Sequence, residues 1–467
     1  MNHRTQGVGR LIATLALASG FAVLMSGCGG GGGGGAAVNG TAAAGAPAPA
    51  ALPESTSALR SYAQDYTLMR VGWFTYDASH STVPLAANVQ LSLDDKGQVT
   101  GYFSIQDCAV CEETIATNGS PTYSATGNYC MGHNGPMPCL SEDTATNAAG
   151  VSAGVQLMGM PAFDPYSGAP TYHAFSGNRD LGTLGGTNSY ATGINAAGEV
   201  VGYSDTPGNG GTQAFLFRGG VMHALTIAGA TQSHANAINA DGQIAGNATG
   251  SGSAVSHGFF YADGAVTDLG EGQANALNNS GQVAGSNSAG AFLTGPNGAT
   301  RTGIGPGTAV SVNAAGQVVV NGTGPFLWDG ATQVNLNAII APSDALAGAV
   351  TLTSAIAINS SGQILVNGHD KDGWQLQFLL SPPPIATQLE TLLALVRQFD
   401  GGTGLAALVS QVQVYSAAGV PADTCVALAA VENDLVAGPA KDNLPATVLA
   451  PLRVDVRLMM STVGCAY

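Results

Sequence analysis

Ile194-Asn195-Ala196-Ala197-Gly198-Glu199-Val200 sets the pattern on which the fold prediction depends. An apolar residue, Asn, two variable residues, Gly, one variable residue and then Val or Ile recur in four later copies. Their Asn and Gly residues are Asn239 and Gly242, Asn278 and Gly281, Asn313 and Gly316, and Asn359 and Gly362. Successive Asn residues lie 44, 39, 35 and 46 residues apart. A period in this range predicts a repeat architecture.

Each copy is predicted to form a β-hairpin. Asn and Gly are the favoured first and fourth residues of a type I turn, and Gly supplies the positive φ that a following bulge requires. An aromatic strand and a glycine turn lie between the copies. Its aromatic residues are Phe215, Phe217, Phe259, Phe260, Phe292, Phe326 and Trp328. Two hairpins per repeat give four strands, which is one blade of a β-propeller. We therefore predict a mainly β protein with a propeller-like domain over residues 169–381, whose aromatic residues form the core between blades.

Two weaker copies lie upstream, in residues 53–168. Asp94-Asp95-Lys96-Gly97 carries Asp in place of Asn, with Trp73-Phe74-Thr75-Tyr76 as its candidate aromatic strand, and Asn147-Ala148-Ala149-Gly150 is fainter. Counting both gives seven units and counting neither gives five. We expect six or seven four-stranded blades, with the Cys-rich residues 103–140 as an insertion. The alternative is a separate N-terminal β domain followed by an open or smaller repeat array.

The composition agrees with a chain of many short strands. Only 9% of the 467 residues are charged, whereas Gly contributes 67 residues, which suits tight turns better than long helices. The formal net charge is −16. An acidic surface repels phosphate backbones, so nucleic acid is not expected as a partner.

Residues 1–27 read as a signal peptide. Arg4 and Arg10 precede an apolar run over residues 11–24. Leu24-Met25-Ser26-Gly27-Cys28 then resembles the lipobox of bacterial lipoproteins, which implies cleavage before Cys28 and lipidation of that residue. Gly29 follows where an Asp would retain the protein in the inner membrane of enteric bacteria, so the resemblance implies the outer membrane. Residues 28–52 are rich in Gly, Ala and Pro and predict a flexible tether.

Six further Cys are expected to be oxidised in an exported protein. Cys425 and Cys465 are predicted to pair. The other four, Cys108, Cys111, Cys130 and Cys139, are expected to form two structural disulfides of unknown pairing. Cys108 and Cys111, followed by Cys130 and His133, also have spacing similar to a zinc knuckle, which is the alternative interpretation. We expect no metal and no cofactor.

Residues 173–202 read HAFSGNRDLGTLGGTNSYATGINAAGEVVG. This segment resembles the HAF repeat family of extracellular bacterial proteins, through His173-Ala174-Phe175, residues 180–186 and residues 194–202. Phe326-Leu327-Trp328 repeats the aromatic strand of that family. The resemblance covers about residues 170–380 and is specific in this one unit. It implies export and repetition but no established chemistry.

The pattern changes after Pro382-Pro383-Pro384. Leu389, Leu392, Leu393, Leu395 and Val396 follow helical spacing, and further helices are predicted near residues 404–415, 422–436 and 445–462. Residues 385–467 are therefore expected to form a small helical domain closed by Cys425 and Cys465. Through residues 392–399, the late Cys pair and the helix spacing, this region resembles the FIMAH domain at the end of some secreted bacterial proteins, which implies an accessory role.

Motifs of catalysis are weak in this chain. Gly150-Val151-Ser152-Ala153-Gly154 matches the nucleophile elbow of α/β-hydrolases in letters, but no apolar strand precedes it. Asp370-Lys371-Asp372-Gly373 has part of a calcium loop and reads better as a solvated turn. His223, His234 and His257 are expected to be bonded polar residues rather than ligands. Acids in the repeats (Asp180, Glu199, Asp241, Asp263, Asp268 and Asp329) hold no common position in the sequence.

These patterns predict an exported, lipid-anchored envelope protein that acts as a non-catalytic binding module for an envelope protein or glycan. Variable loops such as residues 204–211 and 246–257 are the candidate contact surface. Two alternatives remain open at this point: a structural component of the surface or matrix, and a propeller-fold hydrolase or lyase acting on polysaccharide. The enzyme would require carboxylates that converge on the propeller axis.

Overall fold

The computed structural model describes residues 66–71, 90–94, 97, 99–105, 108–115, 121–124, 129–132, 135–138, 141–147, 149–159, 171–250, 255–373, 375–399, 404–437 and 446–465. These all belong to one compact unit, Pro53–Tyr467. The predicted signal peptide, Cys28, the tether and the aromatic strand at residues 73–76 lie outside the described residues, as do residues 251–254 of one candidate loop.

The first part of the chain builds one outer strand and two complete blades. The outer strand is β1 (Thr67–Val71). Blade 1 consists of β2 (Gln90–Leu93), β3 (Val99–Ile105), β4 (Cys108–Ile115) and β5 (Pro121–Ser124). A hairpin of β6 (Tyr129–Gly132) and β7 (Gly135–Pro138) follows. Blade 2 consists of β8 (Ser141–Thr146), β9 (Ser152–Gly159), β10 (Thr171–Ser176) and β11 (Arg179–Asp180).

The next four blades each follow the predicted order of four strands. Blade 3 is β12 (Ser189–Ile194), β13 (Val200–Asp205), β14 (Thr212–Arg218) and β15 (Val221–Ala224). Blade 4 is β16 (Ala230–Ile238), β17 (Ile244–Gly250), β18 (Ser256–Ala262) and β19 (Ala265–Glu271). Blade 5 is β20 (Gln273–Leu277), β21 (Val283–Asn287), β22 (Gly290–Thr294) and β23 (Arg301–Gly305). Blade 6 is β24 (Thr308–Val312), β25 (Val318–Asn321), β26 (Pro325–Trp328) and β27 (Gln333–Asn335).

Blade 7 closes the ring with strands from both ends of the repeat region. Its strands are β28 (Val350–Ile358), β29 (Ile364–Asp370) and β30 (Gln375–Ser381), and β1 is added beside β30 in the order β1-β30-β29-β28. Thr67 pairs with Ser381 and Val71 pairs with Gln377 in an antiparallel register. The first strand of each blade contacts the first strands of both neighbouring blades, including β2 against β28. These seven four-stranded sheets therefore form a closed ring, with first strands innermost.

The predicted fold class is confirmed, and the two weak upstream copies are both blades. The expectation of an insertion over residues 103–140 differs from the structure, because Cys108 and Cys111 lie on β4, the third strand of blade 1. Within the described chain, the β6–β7 hairpin is the part of this segment outside the four-stranded sheets. Cys130 lies on β6; Cys139 and the side chains of all four Cys are outside the described part.

Each predicted Asn turn is closed in the same way. In blade 3 the Gly198 N–H donates to the Asn195 carbonyl at 3.0 Å, and Gly198 takes a φ of 78°. The Asn195 Oδ1 accepts hydrogen bonds from the backbone N–H groups of Ala197 and Glu199. The side chain therefore stabilises the backbone of its own turn, as Asn does in turns generally. Gly242, Gly281, Gly316 and Gly362 have φ between 71° and 85° in the corresponding turns.

The same Asn side chains also join one blade to the next. Asn147, Asn195, Asn239 and Asn278 each donate from Nδ2 to the backbone carbonyl of the following Asn, at 3.0, 3.2, 3.1 and 2.9 Å. Asn359 donates to the Asp94 carbonyl at 3.0 Å and so joins blade 7 to blade 1. These five donors are buried. Their repetition has a structural cause, because a buried amide must find partners for all its polar groups.

A second belt of hydrogen bonds lies along the inner strands. Register shifts, as at β-bulges, interrupt the inner strands of six blades. In four of them the bulged residue donates to a carbonyl of the next blade at 2.7 to 2.8 Å; the donors are Thr144, Thr192, Asn236 and Asn275. A bulge leaves its extra residue unpaired, so its side chain is available for this bond.

Aromatic side chains fill the spaces between the blades, as predicted. Phe215, Phe259, Phe260 and Phe292 are at most 2% exposed, and Phe217 is 7% exposed. Phe326 and Trp328 are partly buried and pack against the core of blades 5 and 6. Because their surfaces are occupied by the neighbouring blade, these residues are core and not a sugar-binding surface.

The C-terminal helices are α1 (Ile385–Phe399), α2 (Leu405–Ala417), α3 (Pro421–Ala437) and α4 (Ala446–Val463), close to the predicted ranges. They share an apolar core, and Cys425 and Cys465 form the predicted disulfide. Glu432 on α3 forms ion pairs with Arg453 and Arg457 on α4. In the described part of the chain, no helix is both long and apolar enough to span a bilayer.

Helix α4 packs on the end of the propeller that carries the Asn turns. Val454 and Leu458 pack with Ala315 in the turn of blade 6, and Leu458 lies close against Gly362 in the turn of blade 7. Asp455 of the same helix lies near Tyr66 and Asp329. Burial, and secondly the charge of Asp329, raises the pKa of Asp455 well above its ordinary value.

Candidate functional site

The two ends of the propeller differ in how far they follow the repeat. In an antiparallel blade the turns between strands 1 and 2 and between strands 3 and 4 lie at one end, the Asn-turn end. The connections between strands 2 and 3, and from one blade to the next, lie at the other, which we call the loop end. The Asn-turn end repeats the same bonds in successive blades. At the loop end, stacked rings join blades 2 to 4.

Tyr203 differs from the Asn that blades 4, 6 and 7 have at the equivalent position, where blade 1 has Tyr102 and blade 5 has Ser286. Tyr203 pairs with Tyr190 on the inner strand, whereas the equivalent inner-strand residues of blades 4, 6 and 7 pair with Asn247, Asn321 and Asn367. Asn247 and Asn321 accept hydrogen bonds at 2.7 Å from Ala274 N and Ala355 N in the next blade. Blade 3 replaces this amide with an aromatic ring. Blade 3 therefore contacts blade 4 here through stacked rings instead of an amide hydrogen bond.

That contact is a row of four stacked rings, which we call the aromatic row: Tyr172, Tyr190, Tyr203 and His234. Successive ring centroids are 6.3, 4.9 and 4.0 Å apart, and the planes differ by 21° to 28°. Tyr172 belongs to blade 2, Tyr190 and Tyr203 to blade 3, and His234 to blade 4. All four are partly buried. The row therefore bridges three blades at the loop end.

Burial favours the neutral forms of three members of the aromatic row, Tyr190, Tyr203 and His234. Burial, then Tyr203, Asp205 and Tyr172, raises the pKa of Tyr190 to about 12. Burial and the charge of Asp205 raise the pKa of Tyr203. Burial lowers the pKa of His234, whose Nε2 lies 2.8 Å from the Thr212 hydroxyl. The row therefore presents phenol groups and a neutral imidazole in a locally negative environment.

Two loops of blade 3 are joined beside the row. The Thr187 N–H donates to Asn209 Oδ1 at 2.9 Å, and Asn209 Nδ2 donates to the Thr187 hydroxyl at 2.7 Å. Asn188 donates from its backbone N and from Nδ2 to Asp205 Oδ2, at 3.0 and 2.8 Å. We call residues 182–188 and 205–211 the rim. Its internal bonds hold both loops in place, and a preordered surface loses less entropy when it binds.

The first loop of the rim includes residues 182–186, which belong to the segment 180–186 singled out in the sequence. Leu184 N donates to the Ser204 hydroxyl, the Thr183 hydroxyl donates to the Gly186 carbonyl, and Ser189 bonds back to Gly182. A Cβ on Gly186 would lie 2.5 Å from the Asp205 side chain, so the loops approach where only Gly fits. Residues 180–186 therefore shape this loop.

Two His–Asp pairs hold equivalent places on outer strands. His173 Nδ1 lies 3.0 Å from Asp180, and His257 Nδ1 lies 3.1 Å from Asp268. Each Asp also accepts the backbone N–H of the Gly two residues later. The expectation that the acids hold no common position is therefore wrong for Asp180 and Asp268. These pairs fix the outer hairpin, since each carboxylate is engaged within its own blade.

The other singled-out residues do not form a site with the row. Ser152 begins β9 after a hairpin turn, with its hydroxyl 2.9 Å from that of Thr146, so it is not on a strand-to-helix elbow. Asp370 and Gly373 close an exposed hairpin turn. His223 is exposed on β15. Within the described chain, no three His, Cys, Asp or Glu side chains group as metal ligands.

Sequence reasoning selected the loop at residues 204–211 but missed the aromatic row. Each of its rings comes from a different strand, so no local pattern of letters displays them together. One signal was present: Tyr203 stands where three later units have Asn. Aligning the units with each other would have found it.

The comparisons with known proteins concern shape. No family model matches the chain, and no curated protein matches its sequence. A protein assigned as TolB from Agrobacterium tumefaciens matches at 13% identity and a TM-score of 0.33, over 46% of this chain and 79% of that one. TolB from Acinetobacter baumannii matches at 14% identity and 0.28, over 62% and 53%. Puromycin hydrolase matches at 14% identity and 0.38, over 63% and 51%. These likenesses assign no activity to this chain.

Proposed function

We propose that this protein is an exported, lipid-anchored component of the bacterial cell envelope whose propeller is a non-catalytic binding module. The partner is an envelope protein or glycan, bound at the loop end of blades 2 to 4. The lipid on Cys28 would be its membrane attachment, and the outer membrane its location.

The proposal rests on one observation. The polar residues that repeat from blade to blade form hydrogen bonds that hold the fold together, whereas the residues that differ from the repeat lie on a surface at the loop end. The Asn turns use their amides to bond their own turn and the next blade. At the loop end of blade 3, Tyr203 of the aromatic row stands where blades 4 and 6 have Asn247 and Asn321, which accept hydrogen bonds from the next blade. The loops there are tied to each other and flank partly buried rings, as in preordered binding surfaces.

The position of the acids supports binding over catalysis. A polysaccharide hydrolase or lyase would need carboxylates converging from the inner strands. Asp180 and Asp268 lie on outer strands, and Asp241, Asp263 and Asp329 lie in or beside turns. Glu199 and Asp241 lie in the Asn turns that follow the inner strands β12 and β16, where the Glu199 carboxylate accepts a hydrogen bond from Asn195 Nδ2. The other four acids lie on or beside strands 3 and 4 of their blades.

The test uses the full chain, purified in detergent and immobilised. Separated envelope protein and envelope polysaccharide fractions are passed over it, and retained components are identified by mass spectrometry. Saturable retention of one component that is reduced by Tyr203→Asn supports the proposal. Retention of nothing from either fraction contradicts it.

The anchor is tested separately. Wild-type protein should fractionate with the outer membrane and carry a lipid-sized mass increase at Cys28. Cys28→Ser should lose both. A wild-type protein that is cleaved elsewhere and carries no lipid would show ordinary secretion.

Exposed valines on the helical domain support a second candidate, self-assembly. Val414, Val426 and Val436 are 65%, 72% and 54% exposed. These side chains lie on two neighbouring helices and are available for contact with a second copy of the chain. Concentration-dependent sedimentation of the full chain that Val426→Lys abolishes would favour this structural role.

A further inference from the structure

Asp205 is a partly buried carboxylate beside the aromatic row. Its Oδ2 accepts both hydrogen bonds from Asn188, and none of the described residues forms an ion pair with it. Carboxylates that leave water are normally paired or fully hydrogen-bonded. The Oδ1 atom has no hydrogen-bond donor among the described residues, so Asp205 can accept from a partner.

The surroundings offer several oxygen atoms that can accept a hydrogen bond from a ligand. The hydroxyl groups of Tyr172, Tyr190 and Tyr203 form no hydrogen bond with the described residues, whereas the amides of Asn188 and Asn209 donate within the rim. The ring faces of Tyr190 and Tyr203 are covered by their neighbours. A flat sugar face therefore has little to stack on, and a group that donates several hydrogen bonds fits better.

The distribution of charged residues also favours a positively charged ligand. No Lys or Arg occurs between Arg179 and Arg218, and none occurs from there to Arg301. Arg179 and Arg218 flank turns between strands 3 and 4, at the opposite end of the propeller. His234 stays neutral, because burial lowers its pKa. A positive group entering the rim therefore meets no repulsion, and the net charge of −16 attracts it.

We infer that Asp205 and the aromatic row form a subsite for a lysine or arginine side chain in a basic segment of a partner protein. This inference rests on the proposed binding function. The ammonium or guanidinium group would donate to Asp205 Oδ1 and to the phenol oxygens. Arg presents five N–H donors and Lys presents three, which suits this acceptor-rich surface.

The test measures binding of a pentaarginine peptide to the full chain in detergent, by calorimetry at physiological ionic strength. The peptide should bind saturably to the wild type. Asp205→Asn should weaken it about tenfold or more, because a charge-assisted hydrogen bond is lost. Asn can still accept both bonds from Asn188, so the rim should remain folded, and thermal unfolding verifies this.

Asp263→Asn is the matched control. It removes one negative charge from an exposed turn at the other end of the propeller, where Asp263 has a φ of 51° that Asn tolerates. It should change the affinity by less than about twofold, since an exposed charge far from the ligand is screened. Equal weakening by both variants would show diffuse attraction and overturn the subsite.

Further outcomes separate the subsite from the binding function. If spermidine binds as tightly as pentaarginine, the site takes small amines and the peptide assignment is wrong. If pentaarginine does not bind but Tyr203→Asn abolishes retention of an envelope component, the binding function stands and the cationic subsite fails. If neither peptide nor envelope component is retained, both fail.

Discussion

The two ends of this propeller use the same strands for different purposes. At the Asn-turn end, Asn239 bonds its own turn and the carbonyl of Asn278, and four other blades repeat that arrangement with their successors. At the loop end, blade 3 has Tyr203 and a row of rings where blades 4 and 6 have Asn247 and Asn321, which bond to the next blade. The comparison shows that the residues repeated from blade to blade are those that join neighbouring blades. A departure from the repeat marks a place where the chain is free to serve another role.

The largest expected effect on stability is at the Asn-turn end. Asn239→Ala removes hydrogen bonds to Asp241 N, Gln243 N, Gln243 Oε1 and the Asn278 carbonyl. It should lower the free energy of unfolding by about 2–4 kcal/mol, because buried polar groups lose their partners. Thermal unfolding followed by circular dichroism measures it. Asn178→Ala, in an exposed turn, is the control and should cost about 0.5 kcal/mol or less.

Docking of α4 on the Asn-turn end should depend on pH. The pKa of Asp455 is raised in the folded protein, so the folded state favours the neutral acid. Stability contributed by the neutral form is then present below the ordinary pKa of 3.8 and is lost as pH rises toward the folded value. Asp455→Asn should match the wild type in acid and be more stable at neutral pH.

Proteolysis of the helical domain and thermal unfolding, each measured across pH, test this prediction. Asp372→Asn, in an exposed turn, should leave the wild-type pH profile unchanged. An Asp455→Asn profile parallel to that of the wild type would show that the carboxyl does not control docking.

The loop end should tolerate a change that restores the repeat. Tyr203→Asn gives blade 3 the residue that blades 4, 6 and 7 carry. It should cost about 1 kcal/mol or less, the size of an aromatic stacking contribution, because a new amide can partly replace the lost contact. A large loss of stability would mean that the aromatic row is part of the structural frame. Thermal unfolding beside Asn239→Ala makes the comparison direct.

The smallest effect concerns the ionisation of Tyr190. Its pKa is raised to about 12 by burial, Tyr203, Asp205 and Tyr172. The stability linked to its neutral form should therefore be lost as pH rises from 10 to about 12. Asp205→Asn should lower this pKa toward its ordinary value. An NMR titration of the labelled Tyr190 ring measures this pKa. An unchanged pKa in the Asp205→Asn variant would show that the charge of Asp205 does not act on the aromatic row.

The sequence predicts the blades better than it predicts the site. Asn195 and Gly198 reveal their turn because the turn chemistry is local, and the spacing of such turns gives the blade length. The copies at Asp94 and Asn147 match the repeat pattern weakly, yet both form blades. The ring of blades closes only when these two sheets are part of it. Tyr172, Tyr203 and His234 meet only after three sheets have packed, so no local window predicts that contact. Cys108 was expected in an insertion because the cysteines were interpreted as disulfide or metal residues, and the strand β4 that contains Cys108 was not recognised.

Retention of envelope components by the wild type, Tyr203→Asn and Asn178→Ala, measured in one assay with folded full-length protein, tests the central claim most directly. We predict that Tyr203→Asn reduces retention about tenfold or more, while its melting temperature stays near that of the wild type. Asn178→Ala should leave both the retention and the melting temperature unchanged. Undiminished retention by a folded Tyr203→Asn protein would contradict the claim that the departure from the repeat is the binding surface.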